Sequence, residues 1–160
     1  GFGHTVHPGA FGAVRKHDVH TGVDIYVPDY MMAFPVEDGV IVRHGIFTGL
    51  RADPPSPWWN ETGYIMVEGE SGVVCYGEIL PNWFNHEDLR GEKLLADGGG
   101  VVGMVAPVLK ENKGRPTSML HIELYEKGYR GEPVDWALGA PRPAGLLDPT
   151  PFLLEMCGRP

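Results

Sequence analysis

Apolar and polar residues alternate most cleanly just after Met119, where Leu120, Ile122 and Leu124 interleave with His121, Glu123 and Tyr125. A period of two turns one set toward a core and the other to the opposite face, so this segment reads as a strand with His121 on its polar side. Residues 64–69 and 73–80 are apolar runs joined at Glu70-Ser71-Gly72, the pattern of a β-hairpin. Residues 39–43 follow a Glu37-Asp38-Gly39 turn as another strand. Residues 101–105 follow a turn at Asp97-Gly98-Gly99-Gly100 in the same way. Ile25-Tyr26-Val27 extends a first strand that Pro28-Asp29 turns, and residues 89–95 are a short extended piece. Residues 134–138 are expected to form one turn of helix.

Between these elements the chain is irregular. Residues 1–19 are rich in Gly and His without periodicity and read as an entry loop. Residues 48–62 carry Asp53-Pro54-Pro55-Ser56-Pro57-Trp58-Trp59, which excludes regular structure and makes a long loop. Residues 81–88 and 111–117 are further loops. The segment 126–160 is a tail whose Leu146, Leu147, Phe152, Leu153 and Leu154 should pack it down. No internal repeat or domain boundary is visible in the 160 residues, which suffice for one domain with a proper core. Short strands separated by turn signals predict an all-β sandwich or barrel.

Composition sharpens this picture in two places. The 23 glycines and 15 prolines lie outside any low-complexity repeat, so they signal turns rather than disorder. The formal net charge of −8 leaves no basic cluster to neutralise phosphates, which argues against nucleic acid and anionic membrane surfaces as partners. No run is long and apolar enough to span a membrane, and no targeting leader is legible. Of the two cysteines, Cys75 lies in an apolar run and reads as a core thiol; a Cys75–Cys157 bridge would require the C-terminus to fold back.

The candidate chemistry starts at His20-Thr21-Gly22-Val23-Asp24. Imidazole nitrogen and carboxylate oxygen are both good zinc donors. A helix would stack them on one face, but Gly22, Val23 and Ile25 disfavour one and Pro28 ends it. In a straight strand they would lie roughly 13 Å apart, too far for one ion. A shared metal therefore requires a bend at Thr21-Gly22, which glycine permits. His121 is the third candidate ligand. The same three side chains, if they meet on a sheet face, can instead simply hydrogen-bond to one another. His4, His7, His17 and His86 read as solvated loop histidines. Trp58 and Trp59 either wall a ligand or pack their loop onto the body, and Asn60-Glu61-Thr62 matches a glycosylation acceptor.

His20-x-x-x-Asp24, followed far downstream by a strand reading Leu120-His121-Ile122-Glu123, resembles the lysostaphin-type (LytM-type) zinc endopeptidases. Further landmarks come in that family's order: Asp38-Gly39-Val40-Ile41-Val42, Tyr76-Gly77, Gly91-Glu92-Lys93-Leu94, Val102-Gly103 and Asp148-Pro149. The resemblance implies the family's antiparallel β-sandwich, related to duplicated hybrid motifs, with long loops around a cleft over one sheet. It also implies one zinc ion on His20, Asp24 and His121, and Glu123 supporting a ligand. The substrates it implies are bacterial cell-wall cross-links or glycine-rich peptides, and the setting is extracytoplasmic.

Two positions depart from the family. Its His-x-His pair has a catalytic first histidine, and that position is Met119 here. A second catalytic histidine comes after the Tyr-x pair, and that position is Glu78. Glu78 has three readings: a base for a zinc-bound water, a fourth ligand, or a solvated carboxylate. Three functions compete. The chain is a metal-binding, catalytically weakened relative that binds a peptide, a cell-wall peptide or a protein partner; or a working endopeptidase that uses Glu78; or a metal-free β module. Loss of both catalytic histidines favours the first over the second, and retention of the ligand set favours either over the third.

Overall fold

The computed structural model describes residues 7–80, 88–112, 114 and 116–157. The loop at residues 81–87, with His86, and the first part of the entry loop, with His4, lie outside the described residues. Nine strands among those described share one sheet: β1 (Val23–Tyr26), β2 (Met32–Ala33), β3 (Gly39–Thr48), β4 (Thr62–Gly69), β5 (Gly72–Leu80), β6 (Lys93–Leu94), β7 (Gly103–Val105), β8 (Met119–Tyr125) and β9 (Leu146–Leu147). Their main order is β1-β8-β5-β4-β3-β6; β7 joins β5 to β2, and β9 adds to β8. Every pairing is antiparallel. The fold is thus all-β, as the alternation and turn signals predicted.

The centre of the sheet is the β4–β5 hairpin. Gly69 pairs with Gly72, so Glu70 and Ser71 form a two-residue turn, and Glu37 fastens it by accepting from the Ser71 amide and hydroxyl at 3.2 and 2.9 Å. Both central strands are buried on both faces, which is why their sequences are apolar runs rather than alternations. One face carries the larger core, with Ile41, Ile65, Tyr76, Ile79 and Ile122 almost fully shielded. The other holds Tyr64, Met66, Cys75 and Tyr125, covered by Phe11 from the entry segment and by Tyr129 and Trp136 from the tail.

Directly opposed residues of an antiparallel pair share a face. Asp24 opposes His121, His121 opposes Gly77, and Gly77 opposes Tyr64. These four form one row across β1, β8, β5 and β4 on the second face. The sequence alone puts His121 on a polar side; the structure buries that side, because residues 7–19 and 126–140 fold over it.

The ladder is interrupted beside this row. Tyr64 pairs with Gly77, yet Gly63 pairs with Ile79, so Glu78 is the extra residue of a β-bulge.

Residues 134–138 are not a helical turn. Their backbone pairs with the entry segment instead: the Val19 amide donates to the Trp136 carbonyl at 2.9 Å, and Asp18 bridges to Ala137. The one helix among the described residues is α1 (Thr150–Cys157), inside the tail. Asp148 accepts from the Thr150 amide at 2.9 Å, Pro151 occupies the first turn, and Leu153 is buried in the larger core. The tail packs down as expected, through a helix the sequence reading did not contain. Cys75 is a free, fully buried thiol; the side chain of Cys157 lies outside the described residues.

Ile122→Ala removes a side chain that is 1% exposed and should cost about 2–5 kcal/mol in urea unfolding. Val14→Ala, at a position 78% exposed, should stay within about 0.5 kcal/mol of the parent.

Candidate metal centre

β1 runs beside β8 with Asp24 facing His121. His20 lies just before β1, in an entry segment held by hydrogen bonds from the His20 amide to the Ala13 carbonyl and from the Gly12 amide to the His20 carbonyl. Between them the chain bends at Thr21-Gly22. A Cβ on Gly22 would stand 2.3 Å from the Ile122 carbonyl oxygen, so only glycine lets the chain enter β1 this close to β8. The bend closes the distance a straight strand would leave open. Asp24 Oδ1 lies 3.1 Å from His20 Nε2 and 2.8 Å from His121 Nδ1, and the two histidine nitrogens are 3.2 Å apart. One donor atom from each residue lies within 4.8 Å of the others, so His20, Asp24 and His121 can hold a metal ion. All three side chains are nearly buried.

The outward-facing atoms of the three residues are all tied down. His20 Nδ1 is 2.9 Å from the Ala10 carbonyl, which only accepts, so Nδ1 carries the hydrogen and Nε2 turns a lone pair to the centre. His121 Nε2 donates to Glu123 at 3.0 Å, which leaves Nδ1 facing Asp24. Glu123 is itself held by the Thr21 hydroxyl and, at 2.7 Å, by the Tyr125 hydroxyl, which accepts from the Val134 amide at 3.0 Å. Asp24 Oδ2 accepts from Arg15 at 3.0 Å, freeing Oδ1 for the centre. Fixing the far nitrogen or oxygen of each ligand is how proteins orient metal donors. Phe47 packs its ring 5.3 Å from that of His121, and it fits because Gly77 has no Cβ, which would lie 2.8 Å from the Phe47 ring.

Without an ion the same atoms form a charged hydrogen-bond chain. Burial alone would raise the Asp24 carboxyl, but the hydrogen bond from His121, with His20 beside it, outweighs burial and holds the group well below the usual carboxylate range. Burial alone would lower His121, but Asp24 and Glu123 on its two nitrogens push it up to about 10. Glu123 is lowered by His121, Thr21 and Tyr125 against its own burial. The metal-free centre is therefore an imidazolium between two carboxylates, and an ion would replace the proton on His121 Nδ1.

Glu78 is half-buried on β5. Its Oε2 is shielded from water and has no hydrogen-bond partner. Burial and the Asp24 charge raise the group to about 8, against His121 and Arg15, which act to lower it. It stands outside the three-atom donor set. Met119 lies two residues before His121 on β8, register-paired with Tyr26, and its thioether has no titratable proton. Trp58 and Trp59 meet edge to face at 6.1 Å and, with Leu109, Lys110 and Glu111, line a shallow hollow of about 270 Å³. Trp59 bridges to Leu109 and packs the loop, while Trp58 is 64% exposed. His17 is exposed; His7 is exposed too, but its Nδ1 accepts from the Gly9 amide at 3.1 Å.

Arg15, Thr21, Tyr125 and Phe47 were not legible as site residues. Tyr125 comes after Glu123 at the strand period and was findable on that signal; Arg15 carries none, since only the folded entry segment brings it to Asp24.

No family model matches the chain, and no curated protein does. A crystal structure of CbpA from L. salivarius REN is similar, with a TM-score of 0.55 and 18% identity over 94% of this chain and 86% of that one. At that identity the likeness shows the fold alone.

Metal uptake should release about one proton near pH 7, because the ion displaces the proton held on His121. Calorimetry in buffers of different ionisation enthalpy measures this, and affinity should strengthen as pH rises toward 10. The metal-free protein should behave in the opposite sense on its alkaline side. His121 has a raised pKa, so its contribution to stability is complete below its ordinary value of 6.5 and is lost as pH rises through about 10. Thermal melts of the apo protein across that range, compared with His121→Ala, should show the parent alone losing this increment.

Proposed function

We propose that this chain is a lysostaphin-type peptidase-like domain. It holds one zinc ion through His20, Asp24 and His121, is catalytically weakened, and serves to bind a peptide, a cell-wall peptide or a protein partner in an extracytoplasmic setting. One observation carries the reading. Two histidines and an aspartate converge, and each has its outward atom fixed by the Ala10 carbonyl, Glu123 or Arg15. Two histidines and one carboxylate suit zinc and leave a coordination position open, the layout of a catalytic rather than a structural site. The ordered motifs of the family, the all-β antiparallel sheet, and a second core layer closed over the site face support the same reading.

Bound zinc would supply a Lewis acid for a carbonyl and acidify a water. Peptide hydrolysis also needs a group to take the water's proton and a donor for the oxyanion. Met119 can provide neither, since a thioether has no proton to give and accepts weakly. A second reading, a working endopeptidase with Glu78 as base, is favoured by one observation: one carboxyl oxygen of Glu78 is shielded without a hydrogen-bond partner, and the group is under the influence of Asp24 and His121.

Elemental analysis should find one equivalent of zinc in the parent protein and none in Asp24→Ala. Cleavage of purified cell wall and of oligoglycine peptides should be absent or about a hundredfold or more below that of working relatives, the loss typical of removing one such catalytic group. Met119→His should raise it. Cleavage by the parent at the rate of working relatives would overturn the weakened-enzyme reading.

A further inference from the structure

Among the described residues, one buried side-chain polar atom has no hydrogen-bond partner: Glu78 Oε2. A shielded carboxyl without a partner is costly, and a native fold keeps one where something else uses it. The backbone is bent to put it there. Along β5, Val74 and Tyr76 face the larger core and Cys75 and Gly77 face the other side. Strict alternation would turn Glu78 into the larger core beside Tyr76. The bulge prevents this by inserting Glu78 as an unpaired residue, so that Ile79 resumes the core positions and pairs with Val105. Glu78 takes a φ of +60°, a left-handed conformation uncommon for a residue with a Cβ, and its carbonyl is pinned by the Ala106 amide at 3.0 Å. It directly follows Gly77, the residue paired with His121 across β5 and β8. The charged groups that act on it are His121, Asp24 and Arg15.

Resting on the proposed metal centre, we infer that Glu78 Oε2 is the acceptor for a water, or for the hydroxyl or amide N–H of a ligand, seated beside the His20–Asp24–His121 cluster. It is not a fourth ligand. Direct ligation is disfavoured because Glu78 lies outside the set of donor atoms that come within 4.8 Å of one another, and Asp24 already brings one carboxylate to the centre. A bridging donor satisfies the orphan oxygen without moving the bulge. On this reading the weakened catalysis lies in one half of the machinery: Glu78 offers an acceptor for a water in place of the lost histidine, and no oxyanion donor stands at Met119.

The test uses zinc-loaded protein, with parent, Glu78→Gln and Glu78→Ala compared by chelator competition and by crystallography. In the parent, an ordered water or ligand donor should lie within hydrogen-bond distance of both the metal site and Glu78 Oε2. Glu78→Gln should keep that water and lose less than about tenfold in zinc affinity, below the usual range even for a residue that orients a ligand. Glu78→Ala should bind zinc with the water gone or displaced. A Glu78 oxygen bound directly to the ion, or an Oε2 with no donor beside it while zinc is in place, overturns this inference and leaves the metal centre standing. A parent that takes up no zinc overturns both.

Discussion

The close approach of β1 to β8 is the constraint on which the centre depends. Gly22 sits so near the Ile122 carbonyl that any side chain would drive the strands apart. The contact sets the register that opposes Asp24 to His121, and it provides the bend that returns His20 to the same point. A register slip of one residue would send His121 into the larger core and bring Ile122 to the site face, since side chains alternate across the sheet. A close approach of backbones thereby fixes the polar cluster beside it.

That cluster has its charges paired without an ion. Buried charges cost heavily unless they are matched and hydrogen-bonded. Asp24 and Glu123 take the two nitrogens of His121, and Arg15, Thr21 and Tyr125 take up most of the remaining carboxylate capacity. The reading that these residues only hydrogen-bond to one another and the reading that they bind a metal describe two occupancies of one arrangement, a proton or a cation on His121 Nδ1. Preorganisation of this kind lowers the cost of assembling the site when an ion arrives.

Glu78 breaks the pattern. Elsewhere in the centre the buried charges have their partners, and here a bulge and a left-handed backbone hold a carboxyl with one oxygen unpartnered. Strain and unsatisfied polarity together mark a place where the fold serves something other than its own stability. Met119, on the same face of β8 as His121, is the opposite case: a side chain that fits the strand and offers no proton chemistry.

Much of this was legible in the chain itself. Period-two alternation around His121 and the Glu70-Ser71-Gly72 turn determined the central strands, because side-chain direction along a strand depends on local sequence alone. The His20, Asp24 and His121 donor types, and the need for a bend at Thr21-Gly22, came from ligand chemistry and strand geometry. Helix α1 escaped because its cue, Asp148 before Thr150-Pro151, is a cap rather than a period. Residues 134–138 were misread because their amides and carbonyls pair with the entry segment, a partner more than a hundred residues away in the chain. Burial of the His121 face, the reach of Arg15 to Asp24 and the turning of Glu78 away from the core were decided only by tertiary structure. Each depends on which distant segment covers a surface or on which strand position is left unpaired, and no local pattern of residues encodes that.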